Sequence, residues 1–206
     1  MNAQINSLIT NAFNLEVYDP SMTDVQQTPV YDTVTIAAAG SVSNTTAQWF
    51  INVGANSNKT YAQTNLGQPK RLSAPESFSV QAIRFRVAEN IFYTDFLTIL
   101  NNFALEFWIG QKPYQRAPIW MYSAGGGIWS GGAATTVAAT TIQNYTNGVP
   151  SREAVLQLNL PLVLGNQTDF YAWLVGTAQT LTAGGGGGTG AIMQLVLDGY
   201  YSRGIQ

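Results

Sequence analysis

The amino-acid sequence predicts an all-β fold of about eight antiparallel strands in one domain, residues 1–206. Three observations lead to this prediction. Apolar side chains recur at every second position in several segments, which is the spacing of a strand with one buried face. Strands do not alternate regularly with helices, so a parallel sheet is disfavoured. A chain of this length buries roughly 70% of its unfolded surface and can support a core without disulfides.

The first element is a predicted helical arm at residues 1–14. Ile5, Leu8, Ile9 and Phe13 lie on one stripe at helical spacing, and the arm has no charged side chain. An isolated helix this short is marginal in water, so we expect the arm to dock onto its own domain or onto a neighbouring copy. Helices that bind lipid surfaces usually carry Lys or Arg, so membrane contact ranks last.

Eight predicted strands follow the arm. Period-two alternation covers the segments 33–38, 48–53, 78–87, 103–109 and 156–162. Three more segments are strand-like but apolar on both faces: 117–122, 169–176 and 191–201. The apolar phase changes after Ala82, which predicts a β-bulge there. Pro161 predicts an edge strand or a bulge, because proline cannot donate a hydrogen bond to a neighbouring strand.

One helix is predicted between the strands at 78–87 and 103–109. Asn90 is a candidate N-cap. The apolar residues at helical spacing are Phe92, Phe96, Ile99, Leu100 and Phe103.

Two glycine-rich segments, 123–150 and 183–190, are predicted to be surface loops. Neither glycine run is followed by the lysine and helix of a phosphate-binding loop, so a nucleotide site is disfavoured.

The composition restricts the chemistry of the chain. It contains no Cys and no His, which removes thiolate chemistry and the commonest general base. Only 10% of residues are charged, against about 25% in typical domains. The net charge of −2, without a basic face, disfavours direct nucleic-acid binding. Low charge suits a subunit packed against copies of itself, although extracellular binding modules share this property.

Acidic residues offer the remaining route to catalysis or metal binding. Glu89 with Asp95, and Glu106 on a strand opposite the apolar face, are the nearest candidates for glycosidase carboxylates. Because the acidic residues are dispersed, we expect a solvated or interface role for Glu106, no catalytic residues and no cofactor. We also expect no metal site, since the acidic residues of the N-terminal segment are too far apart for a calcium loop: Asp19, Asp24 and Asp32.

The larger aromatic residues leave two interpretations open. They would either form a surface on which a carbohydrate stacks, or fill the core and seal contacts between subunits. The second is favoured, since aromatic residues are enriched at interface cores. The residues concerned are Trp108, Trp120, Trp129, Trp173, Tyr200 and Tyr201.

About eight strands, an inserted helix and an N-terminal arm resemble a single jelly roll. Over its whole length the chain resembles the single-barrel capsid proteins of tailless icosahedral bacteriophages, which often contain an internal membrane. The stretches FALEFWIGQKPY (103–114) and LVLDGYYSRGIQ (195–206) are similar to segments of such proteins. The chain departs from many small jelly-roll capsid proteins of RNA viruses, because it has no basic N-terminal arm.

The resemblance implies a structural virion protein, made in the host cytoplasm, whose partners are copies of itself and other capsid proteins. Assembly would use the uncharged walls of the barrel and the N-terminal arm. The residues expected at this interface are Ile5, Leu8, Ile9, Phe13, Trp173, Tyr200 and Tyr201. The alternative is a virion spike, a fibre or a secreted lectin-like β-sandwich that binds glycan. A glycosidase with paired carboxylates is a third hypothesis.

Overall fold

The structure is a computed structural model that describes residues 23–54, 57–87, 91–123, 129–133, 142–146, 155–182 and 190–204. Within these residues the chain forms thirteen strands, one α-helix and one 3₁₀ turn. The strands are β1 (Thr23–Gln27), β2 (Val30–Ile36), β3 (Ser41–Val42), β4 (Gln48–Trp49), β5 (Ser77–Val87), β6 (Phe103–Ile109), β7 (Lys112–Pro118), β8 (Trp129–Ala133), β9 (Ile142–Thr146), β10 (Leu156–Leu164), β11 (Phe170–Gly176), β12 (Gln179–Thr180) and β13 (Ala191–Gly204). The helix α1 (Tyr93–Asn102) lies between β5 and β6, and the 3₁₀ turn is Ile119–Met121. The all-β class and the inserted helix are therefore confirmed.

The long strand β13 is central to a five-stranded antiparallel sheet. Along one side it pairs with β2 through residues 191–197 and with β1 through residues 200–204, so β1 and β2 lie end to end. Along its other side it pairs with β5, which pairs in turn with β10. The order across the sheet is β1 and β2, then β13, β5 and β10.

A second, four-stranded antiparallel sheet has the order β4-β11-β6-β7. Strand β11 runs beside the whole of β6, with Phe170 opposite Ile109 and Gly176 opposite Phe103. Two shorter pairs, β3 with β12 and β8 with β9, lie outside the two larger sheets.

Side chains from both larger sheets form one buried cluster. Trp49 of β4 packs edge-on against Phe85 of β5, with ring centroids 5.9 Å apart. The indole N–H of Trp49 also donates to the carbonyl of Met193 on β13, at 3.2 Å. Burial of each large apolar side chain contributes about 1.5–3 kcal/mol, so these contacts hold the sheets face to face.

A buried carboxylate fixes the chain where β2 approaches β4. Asp32 accepts hydrogen bonds from the backbone N–H of Phe50 and from Lys59 Nζ, each at 2.7 Å. Burial raises the pKa of Asp32, and these two donors act in the opposite direction. Phe50 has a φ of 65°, a left-handed conformation that ends a strand. The predicted strand over 48–53 is therefore wrong in its extent, since pairing covers only β4.

Both predicted irregularities of the five-stranded sheet are confirmed. Ala82 lies opposite Asp198, but Val80 lies opposite Gly199, so Gln81 is the extra residue of a bulge in β5. Pro161 lies in β10, an edge strand whose register with β5 shifts between Gln157 and Leu162.

Two other predictions are corrected. The strand predicted at 117–122 is wrong in its bounds, because β7 begins at Lys112 and ends at Pro118, and the apolar residues after it form the 3₁₀ turn. The segment 123–150 is not wholly a loop, because β8 and β9 pair within it. Apolar and polar residues do not alternate along β8 and β9. The two strands pair through backbone hydrogen bonds, which cannot be recognised from the sequence.

The predicted N-cap at Asn90 is wrong, because the helix begins at Tyr93 and its N-cap is Phe92, which makes no side-chain capping bond. Other predictions fall outside the described residues: the arm at 1–14 and most of the loop at 183–190. In the part of the chain that the structure describes, no helix has the length and apolar character needed to cross a membrane.

Gly199 provides a test of the pairing between β13 and β5. A Cβ at this position would lie 1.9 Å from the carbonyl oxygen of Ser79. We expect Gly199→Ala to lower the free energy of unfolding by about 1–3 kcal/mol, because the strands must separate to admit the methyl group.

Urea denaturation measures this change, with Gly67→Ala as the matched control. A Cβ at Gly67 meets no atom within 4 Å, so its effect should stay within about 0.5 kcal/mol. Equal effects of the two substitutions would contradict the close approach of β13 and β5.

Candidate functional site

Among the described residues, a cluster of aromatic side chains lies on the outer face of the four-stranded sheet. Trp108 of β6 pairs with Tyr171 of β11, and Glu106 of β6 pairs with Trp173 of β11. Because side chains alternate along a strand, these four residues share one face of the sheet, opposite to buried Phe107 and its neighbours. We call the three rings of Trp108, Tyr171 and Trp173 the aromatic platform.

The carboxylate of Glu106 holds two rings of the platform in place. Its Oε2 atom accepts the indole N–H of Trp173 at 2.8 Å and that of Trp108 at 3.1 Å. Its Oε1 atom accepts a hydrogen bond from the guanidinium of Arg116, opposite it on β7. Glu106 is only 4% exposed, so the expectation of a solvated carboxylate is wrong.

The Glu106 carboxylate stays ionised despite its burial. Burial by itself would raise the pKa of Glu106, but the hydrogen bonds from Trp173 and Trp108 and the charge of Arg116 outweigh it. The resulting pKa lies below the ordinary value. A charged acceptor strengthens each hydrogen bond that it receives, and the indole rings are held correspondingly firmly.

The three rings are in mutual contact. Trp108 and Tyr171 are stacked, with their planes 8° apart and their centroids separated by 6.0 Å. Trp173 is tilted against both, with centroids 5.4 Å from Trp108 and 5.1 Å from Tyr171. All three are half-buried, so each ring keeps part of its surface open to solvent.

Polar groups border the aromatic platform. Lys70 Nζ lies over the ring of Tyr171, 5.2 Å from its centroid. The Arg116 side chain is exposed to solvent, and its guanidinium pairs with Glu106. Gln48 of β4 lies opposite Trp173 on the far side of β11. The platform is therefore an apolar surface with amide, ammonium and guanidinium groups around it.

The chain matches no family model, no curated protein and no solved structure.

The structure separates the residues that were predicted to share one assembly interface. Trp173 belongs to the aromatic platform on the four-stranded sheet, whereas Tyr200 and Tyr201 lie on β13 in the five-stranded sheet. Tyr201 packs on buried Phe78, with ring centroids 6.1 Å apart. The arm residues lie outside the described part of the chain, which leaves their predicted role untested: Ile5, Leu8, Ile9 and Phe13.

The carboxylates considered for catalysis have other partners. Asp95 of α1 accepts hydrogen bonds from the backbone N–H and the hydroxyl of Thr182, which anchors the helix. Glu106 is enclosed by its three donors, and Glu89 lies outside the described residues. Asp95 and Glu106 therefore each stabilise the fold, and they do not face each other across a cleft.

The acidic residues considered for calcium are likewise apart. Asp24 pairs with Arg203 at 3.0 Å, and Asp32 pairs with Lys59 at 2.7 Å. Asp19 lies outside the described residues. Among those described, no cluster of three or more acidic, His or Cys side chains could hold a metal ion.

Sequence reasoning missed the aromatic platform as a unit. Tyr171 was not singled out, and Glu106 was not connected with either tryptophan. The signal was present as two pairs at spacing two, Glu106 with Trp108 and Tyr171 with Trp173. Only the pairing of β6 with β11 brings the two pairs together.

The substitution Glu106→Gln tests whether the carboxylate fixes the orientation of the Trp108 and Trp173 rings. Glutamine presents one oxygen and one NH₂ group, so it cannot accept from all three donors. We expect weaker near-ultraviolet circular dichroism from the tryptophans and a loss of about 1–3 kcal/mol in the free energy of unfolding at neutral pH.

The pH dependence adds a second readout. A lowered pKa means that Glu106 stabilises the fold above pH 4.5, its ordinary value, and that this stabilisation is lost as the pH falls through the lowered pKa. The variant should lack this acid-dependent component. Asp169→Asn is the control, since Asp169 makes a partly exposed ion pair with Arg71 worth about 0–1 kcal/mol. An unchanged dichroism spectrum in Glu106→Gln would contradict the arrangement.

Proposed function

We propose that this chain is a structural subunit of an icosahedral virion shell, built as a single jelly roll whose copies pack side by side. The observation that carries the proposal is the strand order of the two larger sheets. Along the chain, β2, β4, β5, β6, β7, β10, β11 and β13 can be counted as strands one to eight. With β1 left out of the count, the sheets have the orders 1-8-3-6 and 2-7-4-5, which supports the proposal because a double-sheet jelly roll is expected to have these orders.

A jelly roll by itself does not define a function. Jelly rolls occur in viral capsids, in lectins and in cupins. The chain has no His, which argues against the metal chemistry of cupins, since His is the commonest transition-metal ligand. The charged fraction of 10% and the net charge of −2 favour a protein that packs closely against its own copies, because the cores of protein–protein interfaces are depleted of charged residues.

The sheet edges favour contact through faces and loops. Strand β10 carries Pro161 within an irregular register, and β7 contains Pro113 and Pro118. Strand β4 is only two residues long. Prolines, bulges and short strands prevent another strand from adding to an edge. Copies of this chain are therefore expected to join without extending the sheets at β4, β7 or β10.

The outer face of the five-stranded sheet offers an uncharged contact surface near β10. Val163, Ser79, Tyr200 and Gln27 lie opposite one another across four strands. Ser79 is fully buried, so the other three supply the surface. Leu160, in the irregular part of β10, is 81% exposed. We call Leu160, Val163 and Tyr200 the β10 wall, and we propose that it contacts a second copy of the chain.

Placing a charge on the β10 wall tests the proposal. We expect the native chain, of 22.2 kDa, to sediment as trimers, hexamers or larger shells. Leu160→Asp combined with Val163→Asp should leave monomers, because repeated like charges at a contact cost several kcal/mol. Sedimentation velocity measures the size, and circular dichroism verifies that the fold is retained.

Tyr61→Asp is the matched control. Tyr61 is 78% exposed on a loop, so the substitution adds one of the two negative charges of the β10-wall variant, at an exposed site away from the wall. Assembly of Tyr61→Asp should match that of the native chain. The proposal fails if the native chain stays monomeric at all concentrations, or if the β10-wall variant assembles as the native chain does.

A further inference from the structure

We propose that the aromatic platform binds a pyranose ring of a glycan, through Trp108, Tyr171 and Trp173 with Lys70 beside them. The site does not depend on shell assembly, because the platform and the β10 wall lie on different sheets. It adds a recognition function to a chain whose proposed role is structural.

The geometry of the rings defines the shape of the ligand. Centroid separations of 5.1–6.0 Å place the three rings in direct contact, so nothing can enter between them. The ammonium of Lys70 already lies over the ring of Tyr171, and it would repel a second cation. An aromatic cage for a quaternary ammonium is thereby excluded. The platform instead suits a ligand with a flat apolar face, such as the axial C–H groups of a pyranose.

The rings are held in advance of binding. Both indole N–H groups of the platform donate to a single oxygen of Glu106, so the tryptophans lose little freedom when a ligand arrives. Such preorganisation matters most for a small ligand, which makes few contacts and cannot offset the entropy of ordering side chains. A protein partner buries about 800 Å² on each side and depends on it less. The fixed rings therefore favour a sugar over a protein.

Lys70 provides an independent observation. Its φ of 61° is a left-handed conformation that costs a non-glycine residue about 1–2 kcal/mol. Its backbone N–H donates to the carbonyl of Phe50, and its carbonyl accepts from the N–H of Phe170. Glycine would adopt this conformation without strain. A strained lysine whose ammonium reaches the aromatic platform fits a functional role for that side chain.

The charges near the rings indicate the kind of sugar. Arg116 is neutralised by Glu106, whereas Lys70 makes no ion pair among the described residues. The Lys70 ammonium can donate to sugar hydroxyls and attracts a carboxylate. We therefore expect a uronic-acid ring to bind more tightly than a neutral hexose, with an advantage that declines as salt is added.

The test is a titration of the full chain with cellohexaose, chitohexaose and hexagalacturonate, followed by tryptophan fluorescence. Tyr171→Ala is the main variant, since Tyr171 stacks on Trp108 but makes no hydrogen bond to Glu106. All tryptophans therefore remain as reporters. We expect saturable binding of at least one probe, weakened about tenfold or more by Tyr171→Ala. Tyr61→Ala removes an exposed tyrosine elsewhere and should leave the affinity unchanged.

Lys70→Gly separates a binding role from a structural one. The substitution relieves the left-handed strain, so the stability of the fold should be kept or increased. The affinity for hexagalacturonate should nevertheless fall, and the dependence of binding on salt should weaken.

Three outcomes would overturn the proposal. One is the absence of binding by every probe up to about 10 mM. The second is binding that Tyr171→Ala leaves intact. The third is a change of sedimentation in Tyr171→Ala without any sugar binding, which would show that the platform contacts another copy of the chain. None of these outcomes depends on whether the β10 wall mediates assembly.

Discussion

The buried carboxylate of Asp32 ties the two sheets together at the seam between β2 and β4. It fixes Phe50 in a left-handed conformation by accepting the N–H of that residue. The carbonyl of Phe50 then accepts from Lys70, and the carbonyl of Lys70 accepts from Phe170 at the start of β11. One chain of hydrogen bonds thus runs from the five-stranded sheet to the four-stranded sheet and positions Lys70 beside the aromatic platform. Lys59 balances the charge of Asp32, which matters because an unpaired buried carboxylate is strongly destabilising.

The outer faces of the five-stranded and four-stranded sheets carry different side chains, and we propose a different role for each face. The row from β10 to β1 across the five-stranded sheet carries no charge, and the ion pair between Arg84 and Asp198 lies farther along the same face. At the β10 edge, Pro161 and the irregular register oppose further pairing. The four-stranded sheet carries an ionised group, Glu106, whose cost of burial is offset by three donors. The first arrangement suits broad contact between copies, where area matters more than fixed side chains. The second suits a small ligand that needs fixed rings. A shell subunit can use both faces at once.

Local patterns in the sequence predicted the parts of the fold that depend on neighbours along the chain. The phase change at Ala82 is visible because each strand residue points to one face or the other, and Pro161 is informative because it lacks an N–H. The end of β4 could not be predicted, since Phe50 is held by Asp32, which is distant in the sequence. The aromatic platform escaped detection for the same reason. Alternation places Trp108 on a face of its own strand, but only the register between β6 and β11 brings Tyr171 beside it.

Electron cryomicroscopy of the concentrated full chain, or of the particle that contains it, tests the central claim most directly. A shell subunit of the proposed kind gives closed icosahedral particles in which Val163 and Tyr200 are buried between copies, while Trp108 remains open to solvent. Particles that do not close, such as fibres or isolated small oligomers, would contradict the proposed function. So would a closed shell in which the β10 wall faces solvent and the aromatic platform forms the contact between copies.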